Sequence, residues 1–254
     1  MIMSPLTESL IALGCVFGGA LLGVFCGQRL RDECRTSDSK EVVRLVMGLV
    51  VTTVALALGL LIGSAKGFYD TQNAEVTQIA ANYILLDSVL AHYGGEAAEA
   101  RGALRTGLAD QIQVSGRAES GRIYGDIRSG VRIGDSVLDM IQQLSPKDDS
   151  QRFLKQQALN LEVQLGQIRW LMFAQATVPF PKLLLTMLVS WLFVLFVSFG
   201  IFAPRNPLVL AGLFVSAVAV CGAILLILEL YNPEAGLVRV SDLPLRAALE
   251  QLGR

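Results

Sequence analysis

Apolar and polar positions along this chain separate into long blocks. No charged residue lies in the 20 positions between Glu8 and Arg29, nor in the 21 between Arg44 and Lys66. The same holds for the 22 positions between Lys182 and Arg205 and the 23 between Arg205 and Glu229. A helix crosses the hydrocarbon core with roughly 20 apolar residues, so the pattern predicts four transmembrane helices. They form two pairs, separated by a polar segment.

Within the blocks the pattern is helical. The first span, 6–28, carries Gly19, Gly23 and Gly27 at intervals of four, and the second, 42–65, carries Ala55, Gly59 and Gly63, continued by Gly67. Small residues at this spacing let helices approach closely in lipid. The simplest expectation packs spans one and two against each other; the alternative is a contact between subunits. Past Lys66 the apolar residues Val76, Ile79, Tyr83, Leu86, Leu90 and Tyr93 recur at threes and fours. With no proline from Val42 to Tyr93, the second span is expected to run on as one helix until Gly94-Gly95. A further helix over 96–113 buries Leu104, Leu108 and Ile112, and a short one covers 135–144. Ser145-Pro146-Lys147-Asp148 reads as a capped start of a helix with an apolar face of Phe153, Leu154, Ala158, Leu161, Leu165, Ile168, Leu171 and Met172. This helix and the extension of span two are expected to pair antiparallel. Spans three (183–202) and four (208–230) follow, then a short amphipathic helix over 243–252. The fold class is an all-α integral membrane protein. Its segments are 1–66 (spans one and two), 67–181 (a helical extramembrane domain), 182–231 (spans three and four) and 232–254 (tail).

Composition sharpens this picture. Charged residues make up 17% and the net charge is −1, which excludes a disordered charged tail and a basic nucleic-acid-binding domain. The deficit is local, because residues 67–181 hold 10 Lys/Arg and 13 Asp/Glu. Cys15, Cys26, Cys34 and Cys221 show no metal-ligand spacing, and His92 is the single histidine. No metal, cofactor or catalytic constellation is expected, and the chain reads as a non-enzyme. The N-terminus lacks the basic region of a signal peptide, so the first span is expected to be retained. Arg29, Arg31, Arg35, Lys40 and Arg44 join spans one and two, and Arg205 joins spans three and four. By the positive-inside rule these loops are cytoplasmic. Both termini and the central domain then face the opposite side, the periplasm if this is a bacterial inner membrane.

Several blocks resemble a known family. They are Ala57–Lys66 with Tyr69-Asp70-Thr71-Gln72, Ala80-Ala81-Asn82 with Leu85-Leu86-Asp87, Phe196–Asn206, Leu226–Leu230, and Gly236–Ser241. Together they resemble the bacterial bestrophin-like domain-of-unknown-function family. Bestrophins are pentameric anion channels with four spans per subunit and a pore lined by the second. The resemblance therefore implies a homo-oligomer, a pentamer by analogy, conducting inorganic anions through the bilayer. Two departures stand out. Leu45–Ala65 contains no aromatic residue, whereas bestrophin necks are ringed by aromatic and large aliphatic side chains. Tyr231-Asn232 also stands where the family pattern has Asp-Arg.

The candidate site follows from helical geometry. At about 100° per residue, Gly48, Thr52, Gly59, Gly63, Lys66, Asp70 and Thr77 fall on one side of the second-span helix, bordered by Ala55 and Asn73. One reading is a pore wall of small and hydroxyl-bearing residues with Lys66 setting a positive potential at its mouth. The other is a helix-packing seam with Lys66 snorkelling to the interface. Glu229, at the end of span four, is a candidate functional carboxylate, expected to stay hydrated. Arg117, Arg122, Arg128 and Arg132 alternate with acidic residues and read as a solvated loop, since the glycines there match no P-loop. Two functions are carried forward: an anion-favouring ion channel, or a non-conducting scaffold or sensor whose helical domain binds a partner.

Overall fold

Each helix begins and ends where local chemistry requires. The computed structural model describes residues 4–29, 37–117, 134–176, 182–204, 206–231, 238 and 240–252, and among them all regular structure is helical. Helix α1 (Pro5–Arg29) starts with proline in its first turn, and Ser4 Oγ accepts the Thr7 N–H at 3.3 Å. Helix α2 (Ser37–Tyr93) runs 57 residues without interruption, as the absence of proline predicts. It ends where Gly94 adopts φ +118°, ψ −172°, a backbone state open essentially to glycine alone. A 3-10 turn, Gly95–Ala97, leads into α3 (Ala98–Arg117). Residues 134–143 form α4. Helices α5 (Asp149–Ala176), α6 (Lys182–Phe202), α7 (Pro207–Tyr231) and α8 (Leu243–Gln251) complete the described order. The arginine-rich stretch 118–133, the prolines 179 and 181, and the loops 30–36 and 232–237 lie outside the described residues.

Among the described residues, four helices are long and apolar enough to cross a membrane: α1, α2, α6 and α7. The chain divides into two units, Met1–Phe68 with Phe180–Val238, and Tyr69–Pro179 with Arg239–Arg254.

The first unit contains the span regions. Its core joins Val16 and Ala20 of α1, Val54 of α2, Leu188, Leu192 and Phe196 of α6, and Ala217 and Ile224 of α7. The glycine ridge of α1 departs from expectation, because it seats against α6 and not α2. A Cβ on Gly23 would lie 2.1 Å from the Val197 carbonyl oxygen, and one on Gly27 would lie 2.6 Å from that of Ile201. From the other side, a Cβ on Gly200 would lie 2.2 Å from the Ala20 carbonyl oxygen. The partners 19 with 193, 23 with 197 and 27 with 201 advance together, so the two helices run parallel. Spans one and three of any four-span chain cross in the same direction, which makes them eligible for this packing. Tyr231 ties α7 to α2 through a 2.9 Å hydroxyl contact with Ser64 and stacks on Phe68 with ring centroids 5.4 Å apart.

The second unit pairs α2 and α5 antiparallel, as the periodicity predicts. Gln175 donates to Glu75 at 2.8 Å, Arg169 to the Tyr83 hydroxyl at 2.9 Å, and Gln151 to the Tyr93 carbonyl at 3.0 Å. Numbers rise along α2 as they fall along α5. Leu86, Leu90, Leu104, Leu108, Ile141, Ala158 and Leu165 form the core, closed by Leu245, Ala248 and Leu252 from the C-terminal region. The tail, expected as a segment of its own, thus contributes to this core. Helix α5 begins at Asp149 and not at Pro146: Asp148 Oδ1 accepts the Gln151 N–H at 2.7 Å, and Gln151 Oε1 accepts the Lys147 N–H at 2.8 Å. This is a variant of the expected capping box, placed three residues later: Asp148 takes the Ser145 role, and Gln151 reaches back to the residue before the cap. Phe153 and Leu171, assigned to the apolar face of α5, are 68% and 51% exposed. Both sit about 100° from the line through Leu154, Leu161 and Leu165.

Candidate functional site: the uncovered face of the second span

Helix α2 presents three different strips in the first unit. One is turned into the core, with Val54 and Ala65 buried and Val50, Ala57 and Leu61 packed beside them. A second carries Val42, Val46, Leu49, Leu56 and Leu60, which are 50–75% exposed. Large aliphatic side chains there suit contact with acyl chains. The third strip is the candidate site: Gly48, Thr52, Ala55, Gly59, Gly63 and Lys66 are all exposed. A Cβ on Gly48, Gly59, Gly63 or Gly67 would meet no described atom within 4 Å. Only 6% of the most apolar window of α2 is buried inside the chain, against 33% for α1 and for α6. The seam that the α2 glycines suggest is therefore not one between helices of a single chain.

The chemistry of the strip is narrower than its residue types imply. Thr52 Oγ1 donates to the Gly48 carbonyl at 2.9 Å, and Thr53 does the same to Leu49 at 3.0 Å. A threonine bonded back to its own helix spends its proton there and turns methyl and lone pairs outward. The cationic group among these strip residues is Lys66. Asp70 and Thr77 continue on the same helix in the second unit and are exposed, and Thr77 is bonded back to the Asn73 carbonyl at 2.9 Å.

Glu229 is only 4% exposed. In place of the expected hydration, its Oε2 accepts the Val238 N–H at 3.4 Å. His92 is exposed, with Nδ1 2.7 Å from the Ser88 carbonyl, a surface residue tied to its own helix.

The second unit holds a charged cluster that the sequence reading did not single out. Arg169 Nη1 donates to Glu162 at 3.1 Å and Nη2 to the Tyr83 hydroxyl at 2.9 Å, and the two charged side chains are each 4% exposed. Glu162 Oε2 and Arg169 Nε are buried without a hydrogen bond. Burial pushes the Glu162 carboxyl above its ordinary range, and the nearby Arg169 only partly opposes this. Burial works against the Arg169 charge, but Tyr83 and Glu162 outweigh it and raise its pKa. Opposite charges seven positions apart, beside the buried Ala158 and Leu165, were the available signal. A second clamp joins α2 to α3, where Arg101 reaches both carboxylate oxygens of Asp87 at 2.7 and 2.9 Å.

A family model, the Bestrophin-like domain, matches residues 14–245. The chain belongs to the Bestrophin-like domain family. That match runs from within the first candidate span through the helical unit and the other three spans, in agreement with the resemblance read from the sequence blocks. No curated protein and no solved structure matches the chain.

Proposed function

We propose that this multi-pass Bestrophin-like membrane protein is a non-enzymatic, ion-conducting subunit of a homo-oligomer that favours inorganic anions. The carrying observation is the contrast between the two exposed strips of α2. Bulky aliphatics on one strip suit lipid. Glycines, alanine and threonine on the other offer lipid little dispersion contact and leave room for a neighbouring backbone or a water-filled path. Lys66 at the end of that strip supplies the positive potential that an anion path needs. With the threonine protons held by the helix backbone, selectivity rests on Lys66 and the strip's contribution is its small size. The family membership supports this reading, and five copies follow from the analogy with bestrophins. In this reading the basic loops face the cytoplasm of a bacterial inner membrane, and the helical unit and the termini lie on the opposite side.

Purified protein in planar bilayers tests the proposal. Anion-selective currents are expected. Thr52→Leu should cut conductance severalfold, while the isosteric Thr52→Val should leave it nearly unchanged. Lys66→Glu should reduce or reverse anion preference, most at low salt, where screening is weak. Protein that stays electrically silent across pH, calcium and voltage overturns the reading.

A second reading, a non-conducting scaffold or sensor, rests on Phe153, Val163, Trp170 and Leu171 of α5, each at least half exposed in the helical unit. Silent protein whose cellular effect disappears when Phe153 and Trp170 become serine would favour it.

A further inference from the structure

The first unit contains a groove that meets the conduction strip only at Gly48. Residues from the first part of α2, the end of α6 and the start of α7 come together in this unit. Between them lies a cavity of about 750 Å³, lined by Arg44, Met47 and Val51 of α2, Phe199 and Phe202 of α6, and Leu213 of α7. The side chains that line it are mainly apolar, with Ser198 and Arg44 as the polar ones. The charged side chain among the described lining residues is the cation Arg44, and no acidic side chain stands with it. Arg44 lies at the N-terminal end of the 21-residue uncharged stretch, the place in a span's sequence where basic side chains meet headgroups.

We propose that this groove is a site for one anionic phospholipid, with an acyl chain between Val51, Phe199 and Leu213 and the phosphodiester on Arg44. Two features favour that occupant. The volume and the mainly apolar side chains suit hydrocarbon. A cation at the edge of a largely apolar inter-helix pocket is the arrangement that selects anionic headgroups. A second groove in this unit, about 530 Å³ between α1 and α6, shows the contrast: both Glu8 and Lys182 line it, so it offers no net attraction to an anionic headgroup. The proposed lipid contacts, Arg44, Val51, Phe199 and Leu213, lie outside the conduction strip, and the test reads lipid retention and not current.

The test uses the full-length protein in detergent, supplied with phosphatidylglycerol and phosphatidylethanolamine of matched acyl chains. Retained lipid is counted by intact-complex mass spectrometry, and thermal unfolding is followed in parallel. Phosphatidylglycerol should be retained about fivefold over phosphatidylethanolamine, the ratio expected from one near-surface cation. Arg44→Gln should abolish that preference and Arg44→Lys restore most of it. Val51→Trp should fill the groove and lower phosphatidylglycerol retention, and inorganic phosphate should not compete. Equal retention of the two lipids, a preference that survives Arg44→Gln, or displacement by inorganic phosphate would each overturn the site. If Val51→Trp changes the oligomer mass and leaves lipid retention intact, the groove is filled by a second copy of the chain, which also overturns it.

Discussion

Single residues decide two local outcomes in this protein. Gly94 ends a 57-residue helix by adopting a backbone state with φ +118°. No described atom lies within 4 Å of its missing Cβ, so the cost of Gly94→Ala is purely conformational, about 1–3 kcal/mol. Gly102, exposed inside α3 with equally open surroundings, should do the opposite: Gly102→Ala should stabilise by roughly 0.5–1 kcal/mol. Thermal unfolding of the two variants in detergent should shift in opposite directions. The Arg169–Glu162 pair supplies the pH dependence. The folded-state pKa of Glu162 is raised above 4.5, so the folded state binds more protons than the unfolded state between that value and the raised one. The stability this group contributes is present at low pH and lost as pH rises through the window. Removing the cation exaggerates the effect. Arg169→Met should destabilise by about 3–5 kcal/mol near neutral pH, where it leaves a buried carboxylate unpaired. The deficit should shrink on moving from about pH 8 to about pH 5, as Glu162 takes up a proton. Denaturant titrations at the two pH values, scored against the parent protein, check this.

At the scale of elements, the same small-residue spacing does two different jobs. On α1 it carries the packing of one chain, since backbone oxygens of α6 occupy the space a Cβ would need at Gly23 and Gly27. On α2 the space beside Gly48, Gly59 and Gly63 is open. Gly23→Ala and Gly200→Ala should therefore disrupt the membrane unit, seen as a loss of folded monodisperse protein on extraction. Gly59→Ala and Gly63→Ala should leave that yield intact and act on conductance or on oligomer mass. Equal damage from both pairs would show that the α2 face packs within the chain. In the helical unit, antiparallel contacts from Glu75–Gln175 to Tyr93–Gln151 fix the register of α5 on α2. The capped start at Asp148 sets where that register begins.

For the molecule as a whole, the C-terminal region is a structural part of the helical unit. Leu245, Ala248 and Leu252 are each under 10% exposed and share a core with Leu104 and Leu108. Arg246 pairs with Asp242 at 2.7–2.8 Å across the first turn of α8. Leu245→Ala should cost about 2–4 kcal/mol, a value typical of a buried leucine. Because that core and the span core are separate clusters and the bilayer shields the spans, limited proteolysis should open the helical unit first. Simultaneous release of both would contradict a division into two units.

Charge gaps and helical periodicity were enough to establish four spans, an all-helical chain, the long second helix and its end at Gly94. Each is a local property: a charge-free run is favourable in lipid whichever helix lies beside it, and a missing proline lets one helix continue. The blocks around Lys66, Pro204 and Glu229 also carried the family. The pairing of elements was not legible in the same way. Small-residue spacing announces that something comes close without saying which backbone it is, so the α1 ridge was matched to α2 when α6 holds it. The α2 stripe was visible as a pattern, but its openness depends on what the other three spans cover. The burial of Glu229, the Arg169–Glu162–Tyr83 cluster and the groove beside Arg44 each join residues far apart in sequence. Only the tertiary structure decided them, because solvation and charge at such sites are set by neighbours that periodicity along one helix does not specify.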